Sequence, residues 1–215
     1  MRSKFLMFVA AISLFSTAAL GLTGHSEDYM MLVDLDTQMV SEWLPEELTI
    51  DEENDTHKVL MNFGLQTGVG PILPYYEISV KVTGVRFRTA PADTATRFQY
   101  YKVLYMNNWS AVNWGILLYD SPKDFAYADW SDNHISFLNK DTREPIFEAT
   151  FSSAGSRSVS VEHPNVVEFA SVLNGPRITY KKGRFKCWGV TARNVRLSPF
   201  RLDVEIHPGF FSTLT

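Results

Sequence analysis

The sequence predicts a mainly β (α+β) domain: an antiparallel β-barrel or cone with a few short helices. Three observations predict it. Arg201-Leu-Asp-Val-Glu-Ile206 alternates, with Leu202, Val204 and Ile206 on one side and Arg201, Asp203 and Glu205 on the other, the pattern of a strand with one wet face. Phe98 to Met106 and Ile146 to Phe151 are rich in aromatic and β-branched residues but apolar on both faces, as expected of strands covered on each side. No low-complexity tract, glycine-serine spacer, charge block or repeat divides the chain, so residues 22–215 are expected to form one domain.

Residues 1–21 read as a signal peptide. Arg2 and Lys4 give a positive start, Phe5 to Phe15 an apolar run, and Ser16-Thr-Ala-Ala-Leu-Gly21 the small residues of a cleavage site. A membrane anchor is the alternative, but the run is about half of the ~20 apolar residues a spanning helix needs. The expected location is therefore secreted or extracellular, with no stable membrane span. Asp36-Thr-Gln-Met-Val-Ser-Glu-Trp-Leu44 has a capping residue, apolar positions at helical spacing and Pro45 as its stop. Trp109 to Tyr119, ended by Pro122, is a second candidate helix. Thr67-Gly-Val-Gly-Pro71, Ser152-Ser-Ala-Gly-Ser156 and Asn174-Gly-Pro176 read as turns.

Setting Arg2 and Lys4 aside leaves 18 basic against 24 acidic residues. This acidic balance argues against nucleic acid as a partner, and Lys181-Lys-Gly-Arg184 reads as a solvated turn. The single cysteine, Cys187, excludes an intrachain disulfide. It reads as a buried small hydrophobe, and pairing between chains in a homo-oligomer stays open. Asn54-Asp-Thr and Asn108-Trp-Ser are glycan-acceptor sequons for a eukaryotic secretory route. The five histidines show no paired metal-ligand spacing, and the chain has no nucleophile elbow, phosphate loop or dinucleotide fingerprint. Neither a metal nor a cofactor is expected. Asp51-Glu-Glu-Asn-Asp55 reads as a solvated loop, with weak calcium binding as the alternative.

Several segments, in order, resemble the acetoacetate decarboxylase superfamily. Trp43-Leu-Pro-Glu-Glu-Leu-Thr-Ile-Asp51 is similar to a helix end and the segment after it, and Met61 to Gly70 to the next strand and turn. Pro74-Tyr-Tyr-Glu77, Tyr101 to Met106, Gly115, Pro122-Lys123 and His163-Pro-Asn165 continue the register to about Ile206. The resemblance implies a decarboxylase-like cone in which Lys123 is the Schiff-base amine and Glu77 an acidic site residue. It also implies that the chain stops short of the family's final strand.

A Schiff base needs a neutral amine, which an ordinary lysine rarely offers at neutral pH. Burial or a neighbouring cation lowers the pKa, and acetoacetate decarboxylase is itself the standard illustration. Here Asp124 stands where the family has a second lysine, and a carboxylate beside Lys123 is expected to raise its pKa. By the same resemblance Ile116 and Leu117 stand where the family has an arginine and a glutamate, and Glu27 sits near where an arginine is expected to meet the substrate carboxylate, so that it would repel an anionic β-keto acid. The expected site is therefore catalytic Lys123 and Glu77, with Tyr76, Tyr101, Trp114, Leu117 and Asp124 around a ligand.

Each residue also has a structural reading: Lys123 as a loop lysine, Glu77 with Ile78-Ser-Val-Lys as a strand's polar face, the aromatics as core. Two functions follow. One is a secreted protein holding a small apolar or carbonyl-bearing ligand, in a pocket of roughly 300–1,000 Å³. The other is a Schiff-base lyase, a β-keto acid decarboxylase or aldolase-type enzyme, using Lys123. A structural or interaction role is a third reading without a positive feature.

Overall fold

The computed structural model describes residues 24–51, 54–69, 72–153, 174–190, 200–207 and 210. The leader and the His163-Pro-Asn165 segment lie outside these. Strand β1 (His25–Asp36) runs directly into helix α1 (Thr37–Glu42), whose N-cap Asp36 accepts the Met39 N–H at 2.9 Å. Then follow β2 (Leu48–Thr49), β3 (Thr56–Thr67), β4 (Tyr75–Phe87) and β5 (Phe98–Met106). Helix α2 (Trp109–Tyr119) leads to β6 (Lys123–Ser131), β7 (His134–Asn139) and β8 (Pro145–Ser153). Strands β9 (Gly175–Lys181), β10 (Arg184–Val190) and β11 (Phe200–Ile206) complete the described fold. The mainly β architecture with few helices is the predicted one. Among the described residues no helix is long and apolar enough to cross a membrane.

One sheet runs in the order β1-β3-β4-β5-β6-β7-β8-β11, with β2 on β4 and β10 on β9. Its pairs are antiparallel except at β5, where β6 and β9 both pair in parallel. They share one edge of β5: β9 takes Gln99 and Tyr100, β6 takes Leu104 to Met106. The sheet therefore forks at β5, a departure from a purely antiparallel cone. Helix α2 is the crossover that the parallel β5–β6 connection requires. Asn108 caps its start, accepting the N–H groups of Ser110 and Ala111 at 2.9 and 3.2 Å. Asp120 ends it in the left-handed region (φ 46°). From β10, Lys186 donates to the Leu118 carbonyl at 3.1 Å and pairs with Asp120, placing a cation at the negative end of the helix.

The main core lies on one face of the sheet. Val59, Met61 and Phe63 of β3, Ile78, Val80 and Val82 of β4, and Ile135, Phe137 and Phe147 of the β7–β8 hairpin pack there. The opposite face carries a smaller cluster, with Leu104, Met106 and Phe125 under Ala111 and Val112 of α2. Lys182 and Gly183, both at positive φ, make the tight turn expected of the Lys181–Arg184 cluster. Cys187 is exposed on the strand β10, not buried as expected, although alternation puts it on the same side as Phe185.

Candidate active site

Strand register assembles the site on the sheet face opposite the main core. One row across four strand pairings reads Met30, Asn62, Ser79, Leu104, Lys123. The next reads Asp28, Gly64, Glu77, Met106, Phe125. Beyond them, Lys81 lies opposite Tyr101, where a bulge in the β4–β5 pairing breaks the alternation. Within β4 the polar residues Glu77, Ser79 and Lys81 alternate with core residues Ile78, Val80 and Val82. The polar strand face and the candidate site are thus the same feature.

Lys123 opens β6, fixed by its N–H to the Ser121 carbonyl at 2.7 Å and by pairing with Leu104. Its side chain runs along α2 at Gly115: a Cβ there would overlap its Cδ, Cε and Nζ. The glycine admits this close approach, and a larger residue would displace the lysine side chain. Burial depresses the Lys123 pKa to about 8, while the nearby Glu77 carboxylate opposes that shift. Burial also raises the Glu77 carboxyl, against the pull of Lys123 and Lys81.

A second glycine performs the same service for an acid. A side chain on Gly64 would collide with the Asp28 carboxylate, which lies across β3 towards Glu77. Gln66 donates to Asp28 Oδ1 at 2.9 Å, Ser26 donates to Oδ2, and burial raises the Asp28 pKa. Lys81 is buried, donating to Asn62 Oδ1 at 2.7 Å with its ammonium 5.0 Å from the Tyr101 ring centre. Ser79 donates to the same oxygen at 2.6 Å. Arg177 of β9, also buried, hydrogen-bonds Tyr101. The site thus combines a depressed lysine, a raised carboxyl, a second acid–base pair and an apolar wall.

The fold places this constellation among solved structures. The chain superposes on a structure of acetoacetate decarboxylase with a TM-score of 0.62 at 17% identity, over 90% of this chain and 80% of that one. The decarboxylase fold is the one observed here. Acetoacetate decarboxylase from Legionella pneumophila aligns with a TM-score of 0.58 at 16% identity, over 87% of this chain and 73% of that one. The enduracididine biosynthesis enzyme MppR complexed with pyruvate aligns at 0.57 and 12% identity, over 89% and 80%. At these identities the likeness is one of fold. Neither a family profile nor a curated protein sequence matches the chain.

Within the decarboxylase-like fold the predicted residues separate. Lys123, Glu77 and Tyr101 come together. Tyr76 faces the other way and stacks on Trp130 at 4.7 Å on the main-core side. Leu117 is 66% exposed, on the outer side of α2 from Gly115, and Trp114 is partly buried on the same helix. Asp124 alternates away from Lys123 and accepts two hydrogen bonds from Lys140, at 2.7 and 3.0 Å. The expected upward pKa shift of Lys123 is therefore corrected: Asp124 is occupied elsewhere and burial decides the sign. The acid beside Glu77 is Asp28, whereas Glu27 is exposed on the opposite face of β1. Asn54 is exposed, and its carbonyl accepts from Thr37 at 2.6 Å. Asp51 pairs with Arg97 at 2.9 Å and with Arg86 at 3.4 Å. Sequence reasoning missed Asp28, Asn62, Lys81 and Arg177. The alternation through Glu77, Ser79 and Lys81 was the signal for the β4 members.

Proposed function

We propose that this protein is a Schiff-base lyase acting on a small carbonyl compound, with Lys123 as the nucleophile. The observation that carries this reading is an amine of pKa about 8, seated against Gly115 beside a carboxyl raised by burial. The neutral amine adds to the carbonyl carbon, and the carbinolamine loses water with a proton supplied by Glu77. The iminium then accepts the electron pair of the adjacent C–C bond as it breaks, either with loss of carbon dioxide or in a retro-aldol cleavage. Protonation of the enamine and hydrolysis return the amine. Asp28 makes the site less welcoming to an anionic β-keto acid and favours the aldolase-type variant.

Incubation with acetoacetate or with acetone, a neutral ketone, then borohydride, tests this by intact and peptide mass. Reduced adduct at Lys123, lost in Lys123→Ala, is expected, and unlabelled Lys123 at any pH overturns the reading. The apolar wall of Leu104, Met106 and Phe125 supports a second reading, an export-directed carrier of an apolar carbonyl ligand. The leader motif is what supports export. Trapping with no released product in single-turnover assays would favour the carrier over the lyase.

A further inference from the structure

We propose a divalent transition-metal site of the zinc type at the far end of the sheet, built from Glu148, Glu205 and His207 with His134 beside them. Glu148 on β8 lies directly opposite Glu205 on β11, and on its other side opposite Ser136 of β7. Ser136 in turn pairs with exposed Asp129, so one transverse row holds three acids and a serine. Two carboxylates directly opposite each other repel. Here they converge: donor atoms of Glu148, Glu205 and His207 all lie within 4.8 Å of one another.

The imidazole of His207 stands between them, Nε2 at 2.8 Å from Glu148 Oε2 and Nδ1 at 3.8 Å from Glu205 Oε1. His134 Nε2 reaches the other Glu148 oxygen at 3.6 Å. Its backbone N–H to the Ile146 carbonyl, at 3.1 Å, fixes His207 in register. Imidazole plus carboxylate is a donor set suited to zinc, and a divalent ion would neutralise both acids. The buried Ser136 hydroxyl has no hydrogen-bond partner among the described residues, which a metal-bound water opposite it would supply. Only Glu205 and His207 are near each other in the chain, and the distance of Glu148 and His134 from them hides the full set from any spacing motif.

The test uses the tag-free full chain, stripped with chelator and titrated with zinc chloride by calorimetry. One zinc per chain is expected, with affinity reduced at least about tenfold in Glu148→Gln and His207→Ala and unchanged in Lys123→Ala. Zinc should raise the melting temperature of the parent but not of these two variants, whose metal-free melting curves report their folding. Cobalt substitution should give the intense visible bands of a nitrogen–oxygen tetrahedral site. Sub-stoichiometric zinc overturns the proposal, as does binding undiminished in both variants. Calcium binding insensitive to His207→Ala, the mark of a plain acidic surface, overturns it too.

Discussion

The lowered pKa of Lys123 comes from position more than from neighbours in sequence. Burial holds its pKa near 8 although the closest charge, Glu77, pulls the other way. At pH about 7 roughly a tenth of the amine is neutral, against well under a thousandth for an exposed lysine. Reductive trapping with acetone and cyanoborohydride should therefore climb between about pH 7 and about pH 9 with its midpoint about 8, whereas exposed lysines respond near 10.5. Peptide mass spectrometry across a pH series reads both. Gly115→Ala inserts a Cβ where Cδ, Cε and Nζ now lie, and the amine must leave its seat. Trapping should fall about tenfold or more. The better helix propensity of alanine, up to ~1 kcal/mol, partly offsets the overlap in stability, as thermal melts would record.

Helix α2 carries that seat, and its ends are held from outside by Asn108 and Lys186. Asn108→Ala should cost about 1 kcal/mol, and Asn108→Asp should retain most of it, checked by urea denaturation. The span of α2, Trp109–Tyr119, was legible from its apolar residues and Pro122, as were β5 and the strand at Arg201 to Ile206. The face each residue occupies was less legible. A strand repeats every two residues, so a slip of one exchanges the faces. That slip separates Glu27 from Asp28, Tyr76 from Glu77 and Asp124 from Lys123. The bulge at Tyr101 and the two glycines that admit Lys123 and Asp28 are relations between distant strands, and no local pattern encodes them.

Across the whole molecule, holding buried charge on the second face of the sheet has a pH signature. Lys123 titrates at about 8 when folded and near its ordinary 10.5 when unfolded, so between these values the unfolded chain binds more protons. Stability from this group rises with pH through that window, and its penalty is largest below pH 8. Denaturation midpoints of the parent minus those of Lys123→Met should follow that slope. The fork at β5 has a further consequence. Lys123 belongs to the branch that begins with β6, and Arg177 to the branch that begins with β9. Neither branch pairs with residues 101–103 along the shared edge, so the two open like blades from one spine. The distance between amine and guanidinium then depends on the angle between the two branches as well as on side-chain rotamers, which makes the aperture of the site in part a backbone coordinate.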